Sequence, residues 1–354
     1  MSKKTFSFFT NDLNKIQLAR VIKNFTSHIS LNAVVLVTQL VFPPLMISIH
    51  GFENFGVWIF LTTIPSMLLI LNFDINGAAN VEMSLYFNKK NEKKVSEIFT
   101  NSIFIGLIIN LLLIVGTFLL LFFYYFDLKI LKGLDNIELK SILFCIFISF
   151  YINLITNIFK IGLYFRGKMY LGTYIETFFI FFSRFLVIIL SLIFGNLLFA
   201  AGALLISNII RSVLIYYYFL TSNRNIQLFS IKLLSKKKMT NLLKLSVPYY
   251  LETVNNLFKH SFQIIILGIF FNAQIVGIVS TFKTLFYFLP FRFSGMLTNV
   301  LSYEFTKYYA EKKYLLLDKL HKKIIKIACL GIVIFIITSA IAGEFIYNMW
   351  IKGT

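Results

Sequence analysis

Residues 98–126 read IFTNSIFIGLIINLLLIVGTFLLLFFYYF, 29 positions without a single Asp, Glu, Lys or Arg. A helix needs roughly 20 mostly apolar residues to cross a bilayer, so this stretch is the clearest membrane span in the chain. Outward from it, further charge-free runs cover 24–52, 54–73, 141–159, 185–210 and 260–282. The last must fold back near Phe271-Asn272-Ala273-Gln274. The whole 354-residue chain is 58% apolar and only 14% charged, against about 25% charged in soluble domains. A soluble globule could not hide that much apolar surface, and disorder is excluded by the same figures. The sequence predicts an all-α polytopic membrane protein with about nine helices, at 28–49, 54–74, 98–124, 141–163, 172–193, 197–219, 245–270, 275–300 and 325–343. The run at 24–52 follows five basic residues as a signal peptide would, but its length, Pro43-Pro44 and the lack of a small-residue cleavage site read as a retained span.

The net charge of +19 would suggest nucleic acid in a soluble protein. Here the basic residues cluster between apolar runs. With the N-terminus in the cytoplasm, 24 Lys and Arg fall in cytoplasmic segments and four in outer ones. The positive-inside rule therefore places the N-terminus inside and the C-terminus of this chain outside. Cys145 and Cys329 lie in apolar runs and read as packing residues.

An internal repeat organises the chain. Asn80-Val81 and Glu92-Lys93-Lys94 recur as Asn299-Val300 and Glu311-Lys312-Lys313, both offset by 219. Glu53-Asn-Phe-Gly-Val-Trp58 returns as Gln274-Ile-Val-Gly-Ile-Val279 at offset 221. Such a period holds six spans, an even number, so both copies point the same way, as in two-lobed transporters. The expected division is a six-helix lobe at 1–220, a basic cytoplasmic linker at 221–244 and a partial second lobe of three helices at 245–354. A counterpart to spans four to six is missing, so the expectation is a C-terminally truncated chain.

No nucleotide-binding glycine loop, D-x-D, G-x-S-x-G or metal-ligand histidine spacing occurs. Neither an enzyme nor a cofactor is expected. The polar residues inside spans are therefore the candidates for function, because charge in a bilayer usually faces a cavity. Glu252, Asn256, Lys259 and Gln263 fall on one face of span seven. Asn32 and Gln39 hold the corresponding places in span one. Alternatively, Glu252 and Lys259 form an internal pair that only joins helices. Span eight carries Lys283 and Arg292 about Pro290; Arg292 either faces the cavity or snorkels to the headgroups. Arg184 lies near the centre of span five. Asp74 ends span two, as a coupling group or a simple cap. Six intramembrane cations, Lys160, Arg184, Arg211, Lys259, Lys283 and Arg292, face three acids, Asp74, Glu176 and Glu252. That excess suits an anionic ligand such as a phosphate or pyrophosphate.

Several segments together resemble the polysaccharide-biosynthesis transporters, the O-antigen and exopolysaccharide flippases of the multidrug/oligosaccharidyl-lipid/polysaccharide exporter superfamily. They are Asn24-Phe-Thr, Gly51-Phe-Glu-Asn-Phe-Gly-Val-Trp58, Asp74-Ile-Asn-Gly-Ala78, Asn91-Glu-Lys-Lys-Val95, Ser246-Val-Pro-Tyr249 and Phe345-Ile-Tyr-Asn-Met-Trp350. The resemblance implies two six-helix lobes in a V, a central alternating-access cavity and residence in the inner (plasma) membrane. It also implies a cargo: a lipid-linked oligosaccharide carried from the cytoplasmic to the outer leaflet, coupled to an ion gradient. Membrane lipids and other polysaccharide-assembly proteins are then the expected partners. In that frame Lys259, Lys283, Arg292, Arg184, Asn256, Gln263, Asn32 and Gln39 are expected to meet substrate, with Glu252 and Asp74 coupling the ion. The rival readings are a small-molecule exporter of the same superfamily and a membrane-bound assembly enzyme.

Overall fold

A computed structural model describes residues 15–123, 129–131, 135–223, 230–288, 290–291 and 314–352. Among them there is no strand. The order is α1 (Lys15–Met67), α2 (Ile75–Asn88), α3 (Glu92–Phe123), α4 (Asn136–Tyr164), α5 (Met169–Phe194), α6 (Leu197–Ser222), α7 (Lys236–Leu257), α8 (Gln263–Phe270), α9 (Ala273–Phe282) and α10 (Tyr314–Lys352). Two π-helical segments, Phe258–Phe262 and Lys283–Phe288, join α7 to α8 and extend α9.

The sequence writes the helix ends. Gly195, at φ 65°, closes α5 in the left-handed conformation, and the side chain of Asn196 then accepts from Leu198 N to start α6. Asn91 caps α3 by accepting from Lys94 N at 3.1 Å. Asn24 of α1 reaches across to accept from Tyr170 N at the start of α5.

Among the described residues, six helical stretches are long and apolar enough to cross a membrane: Ile22–Ile70, Glu92–Leu119, Asn136–Tyr164, Met169–Phe194, Leu197–Ser222 and Cys329–Ile351. The nine expected from charge-free runs are thus not reproduced by length and apolar character, for two reasons. Expected spans one and two are a single helix broken at Gly51, whose φ 76° and ψ 168° are non-helical. Expected spans seven and eight are divided, span seven by its polar stripe and the π segment, span eight into the shorter apolar helix Ala273–Phe288. Part of span eight, with Arg292, and the repeat elements at 299–300 and 311–313 lie outside the described residues.

The Gly51 break brings the two arms of α1 together. Thr38 and Gln39 of the first arm and Thr62 and Thr63 of the second line one cavity, although a straight helix would hold residues 38 and 63 about 37 Å apart. Around the arms the main core gathers Phe42, Met46, Phe55, Trp58, Phe60 and Leu61 with buried residues of α4, α5, α6, α8 and α9.

The second arm meets α9 at backbone distance. A Cβ on Gly56 would stand 1.8 Å from Ala273 O, and a Cβ on Gly277 would stand 2.6 Å from Phe52 O. Positions 52 and 273, like 56 and 277, differ by the repeat offset of 221. The contact is therefore reciprocal, the form a two-fold axis imposes.

Beyond α6, the chain is strapped to α3. Fully buried Asn101 donates to Leu233 O at 3.0 Å and accepts from Ser235 N at 3.0 Å. Lys238 adds an ion pair to Glu97. At the other end, Trp350 Nε1 donates to Leu40 O at 2.8 Å and the Tyr347 hydroxyl pairs with Thr281 at 2.7 Å, tying α10 to α1 and α9.

Candidate functional site

A cavity of about 660 Å³ lies between both arms of α1, the middle of α5, α6, and the α8–α9 pair with its π segments. Its wall is aromatic and hydroxylic, with Phe42, Phe55, Trp58, Tyr287, Thr62 and Ser280 among the lining residues. The hydroxyls of Thr38, Thr62, Thr63, Ser183 and Thr284 donate to carbonyls of their own helices. This back-bonding is how hydroxyl side chains are tolerated within apolar helices. The cavity carries Arg184 and Lys283, and no carboxylate is among its lining residues.

Arg184 comes from mid-α5. Its guanidinium carbon stands 4.3 Å from the centroid of the Phe42 ring. Stacking of this kind holds the face of the group and leaves its N–H edge for an acceptor. No ion pair to Arg184 occurs among the described residues.

Lys283 is held differently. Its ammonium donates to Lys259 O at 2.9 Å, His260 O at 2.9 Å and Gln263 Oε1 at 3.0 Å. An ammonium has three N–H groups, so all are engaged. The two backbone acceptors lie in the π segment Phe258–Phe262, where the i→i+5 pattern displaces carbonyls from the regular helical ladder. Lys283 starts the second π segment, so one side chain joins the two irregular stretches.

Of the residues singled out by sequence, the structure brings Gln39, Arg184 and Lys283 to this cavity. Lys259 and Gln263 line a neighbouring one of about 570 Å³, shared with Lys283 and Tyr287. Glu252 and Asn256 are exposed on the same helical stripe, and no ion pair joins Glu252 to Lys259. Asn32 donates to His28 O of its own helix at 2.9 Å. Asp74 stands at the start of α2 without a side-chain capping bond. Arg292 lies outside the described residues.

The segments carrying the family resemblance are structural contacts. Gly77 of Asp74-Ile-Asn-Gly-Ala78 lies against the Tyr249 ring, where a Cβ would come within 2.5 Å. Tyr250 stacks on Phe73 at 4.7 Å and donates to Ile70 O at 2.9 Å. Sequence reasoning missed the hydroxyl lining of the cavity, the two π segments and the pairing of Lys160 with Glu176. The last had a signal, since two opposite charges inside adjacent apolar helices need partners.

No protein-family model matches the sequence, and no curated protein matches it at a significant level. Solved structures do. An inward-facing multidrug resistance MATE family transporter of the MOP superfamily aligns with 89% of this chain and 74% of its own, with a TM-score of 0.62 at 15% identity. A MATE structure in a straight conformation aligns over 94% and 76%, with a TM-score of 0.58 at 16% identity. The likeness is one of fold: the chain has a MATE-like helical architecture, and its apolar helices are consistent with a multi-pass membrane protein.

Proposed function

We propose that this protein is a membrane transporter that carries an anionic amphipath through the 660 Å³ cavity by alternating access. The observation that carries the proposal is the cavity's composition: an arginine without a carboxylate partner among the described residues, a lysine on the same lining, and a wall of aromatic rings. A buried anion gains charge-assisted hydrogen bonds from such a guanidinium edge, and an apolar tail packs against the rings. The reciprocal Gly56–Gly277 contact supports two lobes related by a two-fold axis, with the cavity between them.

Two cargoes fit. A small-molecule exporter accords better with the solved structures, one of which is described as a multidrug resistance transporter. A lipid-linked oligosaccharide flippase rests on the cationic lining, which suits pyrophosphate. In either case Glu252 and Asp74, outside the main cavity, are the candidates for ion coupling, and the basic loops support a cytoplasmic N-terminus.

The test is uptake by proteoliposomes of two fluorescent amphipaths of matched size, one a phosphate ester and one a quaternary amine. Transport of the phosphate ester alone, lost in Arg184→Ala at unchanged protein level, supports the proposal. Transport of the amine alone contradicts it. Competition by an isoprenyl pyrophosphate would select the lipid-linked cargo.

A further inference from the structure

A second group of charges lies inside the bundle of α1, α4, α5 and α6, away from the cavity. Lys160 of α4 donates to Glu176 Oε2 of α5 at 2.6 Å, with side chains only 17% and 27% exposed. Arg211 of α6 is 9% exposed, and its Nε and Nη2 are buried without an acceptor. Among the described residues, Glu176 and Lys160 interact electrostatically with Arg211, and His28 of α1 does so with the pair.

One carboxylate thus faces two cations, and Lys160 holds it. The cluster carries a net charge of +1 in a low-dielectric setting, where an uncompensated buried charge is strongly unfavourable. Donors left unmade are unfavourable as well. One turn to either side of Arg211, Ser207 and Ile215 are each 1% exposed, so helix packing closes the site along α6 and admits only a small ligand.

We propose that Arg211, with the Lys160–Glu176 pair at its edge, forms a buried site for a small monovalent anion of the halide class. One such ion cancels the excess charge and accepts from both unpartnered nitrogens. A water molecule would satisfy the donors but leave the charge. The site is independent of the cargo, since none of its residues lines the cavity.

The experiment is thermal unfolding of the purified chain in detergent, in sodium chloride or bromide against sodium gluconate at equal ionic strength. The expected result is a saturable rise in Tm with halide that gluconate does not give, and that Arg211→Gln abolishes. Glu176→Gln removes the competing carboxylate and raises the cluster charge to +2, so it should tighten apparent halide binding by at least about tenfold. That variant also decides the matter if Arg211→Gln fails to fold. Coincident halide and gluconate curves in the unaltered protein would overturn the proposal. So would a halide shift that survives Arg211→Gln, or halide binding that Glu176→Gln leaves unchanged or weaker.

Discussion

Replacing Gly56 with alanine should be among the most disruptive single-methyl changes available in this fold. The new Cβ would lie 1.8 Å from Ala273 O, 2.6 Å from Ala273 C and 3.0 Å from Gly277 N, whereas ordinary contact begins at 3.4 Å. Raising 1.8 Å to 3.4 Å requires α9 and the second arm of α1 to part by about 1.6 Å along that contact, since every opposing atom is backbone and no side chain can swing aside. Overpacking of this kind costs about 1–3 kcal/mol, and Gly56→Ala should fall at the upper end. Gly277→Ala needs a smaller movement, from 2.6 Å at Phe52 O, and should cost less. The double variant should cost little more than Gly56→Ala alone, because one separation relieves both clashes. Gly116 and Gly202 are the controls: nothing lies within 4 Å of a Cβ at either. Alanine there should be neutral or gain up to about 1 kcal/mol of helix propensity. The assay is unfolding of purified variants in detergent. Equal stability of Gly56→Ala and Gly116→Ala, or additive losses in the double variant, would refute a shared backbone contact.

Other expectations follow from the same geometry. Lys283→Met removes the donors that bind Lys259 O and His260 O, so amide hydrogen exchange should accelerate across 258–267 and stay unchanged in α4. Asn101→Ala deletes two bonds to the 230–235 strap, each worth about 1 kcal/mol; limited proteolysis should then cut near residue 233 faster than in the unaltered protein. Reporter fusions after residues 90 and 230 should read cytoplasm and one near 135 the outer side; an outer reading at 230 would contradict the charge-based orientation.

Much of the architecture was legible because a bilayer forces a simple code. Charge-free runs longer than a membrane is thick mark helices, and α3 and α4 lie where such runs lie; the run 185–210 instead straddles the Gly195 break between α5, which carries Glu176 and Arg184, and α6. The code failed where backbone geometry departs from a regular helix. The break between the first two expected spans was legible in His50-Gly51-Phe52-Glu53-Asn54, but not that helical hydrogen bonding runs on either side of Gly51 so closely that the two arms count as one helix. The stripe Glu252, Asn256, Lys259 and Gln263 assumes 100° per residue, but the π segment at Phe258–Phe262 interrupts that period. Its lower members therefore turn to a cavity next to the main one. Arg184 and Lys283 were visible because a cation deep in an apolar run is rarely idle. Their difference was not visible: Phe42, far away in sequence, holds the arginine's face, while carbonyls displaced by the π segment saturate the lysine. The likeness between 53–58 and 274–279 pointed to a repeat, but that the two segments touch each other follows only from the way the chain folds.

The central claim is that the cavity around Arg184 opens in turn to the two sides of the membrane and holds an anion. The direct measurement places one cysteine at Thr63, on the cavity wall, with Cys145 and Cys329 changed to serine. Membrane-impermeant thiol reagents are then applied from each side of oriented vesicles. Labelling is expected from both sides, slowed by an anionic amphipath and unaffected by a cationic one of equal length. Labelling from one side only, or protection by the cation instead, would contradict it.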